Sequence, residues 1–289
     1  MQTAIVTGCS TGIGFATALR LAREGCRVYA TVRSEASGAN LVEAAGDLPL
    51  SLLIVDVDDD ESVADGIASV IAAEGRVDIL VNNAGVAYGG DIEATSLAEF
   101  QSIMNTNAWG TLRCIQAVLP TMRGQNSGCI VNVTSIAGRI AAAGQGAYAA
   151  SKFATEAMSE VLATEVAPFG IRVAVIEPGV VVTPIFDKAM ERPIDMESPY
   201  FPFTFRTSRF LLASLAEPST ADEVADVIWG AITTDAPTLR YPVGADGIAL
   251  AERRPGVADD DWVAGLSDAD DAVFRARMLD WSGVEVPPL

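Results

Sequence analysis

Short apolar, β-branched runs alternate with longer stretches whose apolar positions recur at helical spacing, and the alternation holds through the first 245 residues. The runs at about 3–7, 27–31, 51–55, 78–81, 129–134, 171–176 and 238–243 read as strands. The stretches at about 13–24, 34–45, 60–74, 97–122, 145–167 and 220–233 read as helices, with Pro168 and Gly170 stopping the fifth. Strands apolar on both sides belong in a parallel sheet that helices cover on both faces. The pattern predicts an α/β fold with a doubly wound sheet of seven parallel strands.

Two regions break the alternation. Residues 183–219 gather Pro184, Phe186, Pro193, Pro199, Tyr200, Phe201, Pro202, Phe203, Phe205 and Phe210. A connection this long inside a compact domain usually carries function, and an aromatic lid over a substrate is the expectation. The second region is the tail, 245–289, with helical character from Asp259 to Trp281 and Pro287-Pro288 at its end. No flexible linker and no repeat divides the chain, so residues 1–289 are expected to form a single domain.

Charge and composition remove several classes of function. Nineteen basic against thirty-eight acidic residues leave a net charge of −19, which repels nucleic acid and anionic membrane surfaces. The acidic runs Asp56–Glu61 and Asp259–Asp261 read as solvated faces. No apolar run reaches the roughly 20 residues of a membrane helix, so no membrane insertion is expected. The first strand begins at Thr3, leaving no room for a leader, and Cys9, Cys26, Cys114 and Cys129 lack CxxC spacing. A cytoplasmic protein with buried, reduced thiols is the expectation. The sequon Asn132-Val133-Thr134 lies in a core strand, which argues against glycosylation. Histidine is absent, so Ser-His-Asp and Cys-His hydrolases and His-ligated zinc are excluded. Acid/base work near neutral pH falls to Tyr, Lys, Asp, Glu or Cys.

The first strand runs into Thr7-Gly8-Cys9-Ser10-Thr11-Gly12-Ile13-Gly14, and a helix opens there. Glycines in such a turn let the backbone approach a pyrophosphate, which settles on the free N–H groups at the helix start. Farther on, Tyr148 and Lys152 stand four apart in a helical pattern and share one face. A nearby ammonium favours a phenolate, so Lys152 is expected to lower the Tyr148 pKa and make it a usable proton donor and acceptor. Ser135 closes the fifth strand, at the sheet edge where open α/β folds bind ligands. Asn107 falls inside the long fourth helix, where a poor helix former calls for a kink or a partner. Taken singly, these are an aromatic, a helix charge, a turn residue and a helix polar residue; their joint occurrence behind a glycine turn is what points to catalysis.

In these motifs the chain resembles the short, single-domain branch of the short-chain dehydrogenases/reductases. The resemblance rests on TGxxxGxG at 7–14, NNAG at Asn82-Asn83-Ala84-Gly85, the tetrad Asn107, Ser135, Tyr148 and Lys152, and Pro178-Gly179 followed by Thr183. It implies a Rossmann fold and hydride transfer between a nicotinamide and a carbonyl or alcohol carbon. Tyr148 would then protonate the oxygen, Ser135 hold it, Lys152 bond the nicotinamide ribose and Asn107 hold a water. It also implies cofactor contacts at Gly8, Ser10, Thr11, Gly12, Ile13, Gly14, Asn83, Ala84, Gly85, Tyr148, Lys152, Pro178, Gly179, Val181 and Thr183, with Asp56 and Val57 near the adenine. Asp56 serves equally well as the residue that opens the following turn.

The nicotinamide is chosen near the end of strand two, where a carboxylate bonds a 2′-hydroxyl and an arginine pairs with a 2′-phosphate. In NAD-using relatives the acid falls at the position of Val32, and Arg33 follows directly. A guanidinium fork grips phosphate bidentately, so NADP(H) is favoured. The alternative is NAD(H), with Arg33 a surface charge and Glu35 serving the ribose.

The aromatic lid and the PTLRYPVGADG stretch at 237–247 are similar to the estradiol-type hydroxysteroid and retinol dehydrogenase group. That likeness implies a small hydrophobic ketone, aldehyde or alcohol as substrate. It also implies a homodimer through the helices at 97–122 and 145–167, while the long tail argues against the branch's tetrameric packing. Two other readings are a non-catalytic NADP-binding regulator, which would have lost Tyr or Lys, and a sugar-nucleotide epimerase or dehydratase, whose GxxGxxG spacing residues 8–14 do not match.

Overall fold

The computed structural model describes residues 1–185 and 195–288. Seven strands pair in parallel in one sheet: β1 (Thr3–Val6), β2 (Arg27–Val32), β3 (Leu50–Ile54), β4 (Ile79–Asn82), β5 (Gly128–Val133), β6 (Ile171–Pro178) and β7 (Arg240–Val243). Their order is β3-β2-β1-β4-β5-β6-β7. The chain starts mid-sheet, winds outward to β3, then restarts at β4 and winds the other way. The crevice between β1 and β4, beyond the carboxyl ends of the strands, is where such a sheet receives ligands.

Helices among the described residues are α1 (Gly12–Arg23), α2 (Glu35–Ala45), α3 (Asp60–Glu74), α4 (Leu97–Met104), α5 (Gly110–Gln125) and α6 (Gly146–Val166), then, after the undescribed stretch, α7 (Phe201–Ser214), α8 (Ala221–Thr233), α9 (Ala245–Arg253), α10 (Asp259–Ser267) and α11 (Asp271–Ser282). Alternate residues of β1 feed two cores. Ala4 and Val6 join Ala18, Leu21, Leu41 and Ile228 on one face, and Ile5 joins Ile67, Val118 and Leu162 on the other. Successive strand side chains point to opposite faces, so an unbroken apolar run is what two covered faces require. All four cysteines are free and buried, and Asn132 is buried within β5.

The single helix expected over 97–122 is two helices joined by a π-helical turn at Asn105–Trp109. Asn107 sits in that turn, which is the break its poor helix propensity called for. Within 183–219 the expected irregular connection carries a helix, α7, while Phe186 and Pro193 lie outside the described residues.

The tail folds back as a third core. Leu250 of α9, Trp262 of α10, and Phe274, Met278 and Trp281 of α11 pack with Ile136, with Phe210 of α7 against them. Trp262 stacks on Trp281 at 4.6 Å between ring centroids and donates from its indole N–H to the Ala141 carbonyl at 3.1 Å. Buried Arg209 pairs with Asp271 at 2.5 Å. These contacts join the tail to α7 and to the loop after Ser135.

Candidate active site

The turn from β1 to α1 is built around NNAG. The Thr7 hydroxyl accepts from the backbone N–H groups of Asn83 and Ala84, each at 2.9 Å. The Asn83 amide donates back to the Thr7 carbonyl at 2.9 Å and the Gly8 carbonyl at 3.2 Å. Approach this close leaves no room for side chains: a Cβ on Gly8 would lie 2.8 Å from Ala84 Cα, and one on Gly14 would lie 2.4 Å from the Gly8 carbonyl oxygen. Gly8 and Gly12 hold φ of 71° and 62°, the left-handed region that glycine enters without strain. The N-cap, Thr11, makes no side-chain hydrogen bond, so the first N–H groups of α1, beside Ser10, Gly12 and Ile13, remain available to an anion. The turn fits a pyrophosphate.

Tyr148 and Lys152 share one face of α6, with the ammonium 5.7 Å from the phenol ring centroid. Ser135 follows β5, caps a short 3₁₀ turn by accepting from Ala137 N–H at 3.1 Å, and donates to the Pro178 carbonyl at 3.4 Å, while its hydroxyl also bears on the ionisation of the Tyr148 phenol. Buried Lys152 donates to the Val133 carbonyl at 3.1 Å. Asn107 closes the group: its oxygen accepts from Val86 N–H at 2.8 Å, and its amide donates to the Val86 carbonyl and the Ser151 hydroxyl, both at 2.9 Å. A Cβ on Gly85 would stand 3.2 Å from Asn107 Oδ1 and 3.7 Å from Lys152 Nζ, so glycine keeps NNAG against the tetrad. The four residues proposed from sequence thus meet at the carboxyl edge of the sheet.

Burial governs the electrostatics. It pushes the Lys152 ammonium down to about 8, opposed by the Glu156 carboxylate one turn away. It also pushes the Tyr148 phenol above its ordinary value, with the Ser135 hydrogen bond pulling the other way. The expectation that Lys152 lowers the Tyr148 pKa is corrected here: desolvation of the phenolate is the larger effect in the protein by itself.

Arg33 follows β2, is exposed, and has no hydrogen-bond or ion-pair partner among the described residues, so its fork is free for a phosphate. Glu35 lies at the exposed first turn of α2, beside Leu52 and Ile54 on the outer edge of the sheet. The Asp56 carboxylate accepts from Asp58 N–H at 3.1 Å, so it does open the turn after β3. Val57 packs on Gly110 of α5. At the end of β6, Pro178-Gly179 leads into buried Val181 and Thr183, and Thr183 reaches the turn: a Cβ on Gly12 would lie 3.2 Å from its methyl group. Together these residues fit NAD(P).

Sequence reasoning missed the groups behind the tetrad. Glu156 accepts from the Thr134 hydroxyl at 2.7 Å and pairs with Arg240 at 3.0 Å. Fully buried Glu177 pairs with Arg139 at 3.3 Å and Arg240 at 3.5 Å, and burial together with Glu156 raises its pKa. One signal was available: Glu156 stands four residues after Lys152, on the same helix face.

The fold and the site define a Rossmann-type protein whose glycine turn suits a dinucleotide. The chain belongs to the short-chain dehydrogenase family, whose model matches residues 2–193. It is similar to retinol dehydrogenase 8 of Bos taurus, 40% identical over 68% of this chain and 65% of that protein. It is also similar to 17-beta-hydroxysteroid dehydrogenase type 1 of Homo sapiens, 36% identical over 82% of this chain and 76% of that protein. The chain therefore spans just under two thirds of the retinol dehydrogenase. Among solved structures, a short-chain dehydrogenase from Streptomyces avermitilis superimposes with a TM-score of 0.78 at 34% identity, covering 91% of this chain and 97% of that one. A metagenomic short-chain oxidoreductase solved in complex with NADP has a TM-score of 0.67 at 28% identity, covering 84% and 96%. No described helix is long and apolar enough to cross a membrane.

Proposed function

We propose that this chain is an NADP(H)-dependent oxidoreductase that interconverts a hydrophobic ketone or aldehyde and its alcohol, with Tyr148 as acid/base. The observation that carries this reading is the meeting of Tyr148, Ser135 and Lys152 at the sheet edge served by the glycine turn. The cofactor supplies or takes up the hydride. In reduction the Ser135 hydroxyl holds the carbonyl oxygen and Tyr148 gives it a proton; in oxidation Tyr148 takes that proton back. Lys152 would hold the cofactor's ribose beside the phenol, and Asn107 would fix the start of the path by which the proton returns.

The unpaired Arg33 fork favours the 2′-phosphate of NADP(H), and the solved relative with NADP agrees with that choice. Glu35, out on the sheet edge, is poorly sited for the ribose of NAD(H). The substrate class follows from the aromatic α7 with its Phe201–Phe205 stack, and from relatives named for a steroid and for retinol. Residues 183–219 act as a lid in this reading, and the chain works as one domain. Exposed Trp109 at the head of α5, with Phe153 and Val161 on α6, supports a homodimer through those helices. Buried free cysteines suit a cytoplasmic setting. A non-catalytic regulator is the weaker reading, because neither Tyr148 nor Lys152 is lost.

The test is purified protein with NADPH or NADH, screened against aliphatic, aryl and steroid ketones by loss of absorbance. NADPH oxidation with a hydrophobic ketone is expected. NADPH binding without turnover of any carbonyl would favour the regulator.

A further inference from the structure

Asp246 stands in the first turn of α9, just beyond β7, and it is buried. One carboxylate oxygen accepts from Val180 N–H at 3.0 Å and the other from Gly247 N–H at 2.8 Å. The contact is tight on both sides. A Cβ on Gly179 would lie 2.1 Å from Asp246 Oδ1, and one on Gly247 would lie 2.8 Å from the Gly179 nitrogen. The turn that delivers Asp246 passes through Gly244, whose φ of 86° admits glycine with least strain.

Val180 is fastened at its other polar group as well, since its carbonyl accepts from Ser219 N–H at 3.1 Å. Val182 N–H donates to the Ser219 carbonyl at 3.1 Å, completing an isolated parallel bridge centred on Val181 and Ser219. In extended chain, successive residues turn their N–H and C=O groups to opposite sides. Fastening Val180 and Val182 toward Ser219 and Asp246 therefore turns the polar edge of Val181 to the opposite side of the segment. Val181 is buried, its N–H has no acceptor among the described residues, and its carbonyl receives only the Thr183 hydroxyl at 3.5 Å. A buried N–H left without a partner is rare enough to need an explanation. A primary carboxamide carries a donor and an acceptor side by side and is complementary to such an edge.

We propose that Asp246 is a positioning residue, whose carboxylate holds Val180 so that the Val181 edge stays open for the carboxamide of the nicotinamide. The assignment rests on the cofactor reading above and adds a function for the turn that opens the C-terminal extension. Burial raises the Asp246 pKa against the pull of its backbone donors, yet two N–H groups need both oxygens unprotonated.

The test compares two ligands on full-length wild type, Asp246→Asn and Asp246→Ser: NADPH, and adenosine 2′,5′-bisphosphate, which lacks the nicotinamide half. Either variant loses one of two charge-assisted acceptors, so NADPH affinity is expected to fall about tenfold. Affinity for the bisphosphate should stay within about twofold of wild type, because the glycine turn and Arg33 are untouched. Equal weakening of both ligands in both variants, or no weakening of NADPH, overturns the proposal. Failure of wild type to bind NADPH overturns the cofactor reading and this assignment with it.

Discussion

Asn107 donates to the Ser151 hydroxyl at 2.9 Å, and Ser151 donates to the Tyr148 carbonyl at 2.7 Å. The π-helical turn is thereby joined to the first turn of α6, so the position of the phenol depends on an amide two elements away. Asn107→Leu removes the donor to Ser151 and leaves the Val86 backbone unpaired. Unfolding in denaturant should show a loss of about 1–3 kcal/mol. The turnover number should fall at least about tenfold from misplacement of Tyr148. Wild-type stability and turnover in this variant would mean that the link is incidental.

Tyr148→Phe keeps the ring and removes the proton. Carbonyl reduction should drop by about 10²–10⁴, the range of a general acid. NADPH binding, followed by fluorescence, should persist within a few-fold. Substantial residual turnover would take Tyr148 out of the reaction.

Lys152 gives a pH signature in stability. Its folded value of about 8 lies below the ordinary 10.5 of the unfolded chain. Between those values the unfolded chain binds the extra proton, so this residue makes stability rise with pH across that window. Lys152→Met lacks the effect. From pH 8 to 10.5, unfolding free energies should move in favour of wild type relative to the variant, by at most about 3 kcal/mol. A gap that does not change with pH would show that the ammonium is not desolvated.

Arg33→Asp replaces a guanidinium that has no partner among the described residues with a charge that repels a 2′-phosphate. NADPH affinity should fall about ten- to hundredfold, and the ratio of kcat/KM for NADPH to that for NADH should reverse. An unchanged ratio would mean that Arg33 does not read the phosphate.

Much of this architecture was legible because it is repetitive. Parallel strands covered on both faces must be apolar throughout, and that leaves a plain mark on β1, β4 and β5. The tetrad was legible through order and spacing, with Tyr148 and Lys152 a helical turn apart. What stayed hidden depends on three-dimensional closure. Nothing local ties Asp246 to Val180, or Arg240 to Glu156 and Glu177, because each pair meets only when β7 docks beside β6. The direction of the Tyr148 shift was misjudged for a related reason. A neighbouring cation can be counted along a helix, whereas desolvation is set by everything that packs around the ring.

The wide turn at Asn105–Trp109 amounts to one surplus residue wound into what would otherwise be a continuous α-helix. Deleting a single residue there would mend the helix into ordinary pitch and improve its local regularity. It would also remove the widened turn in which the amide of Asn107 meets Val86 and Ser151. The most regular version of this segment is thus one that gives up the link between Asn107 and the helix of Tyr148.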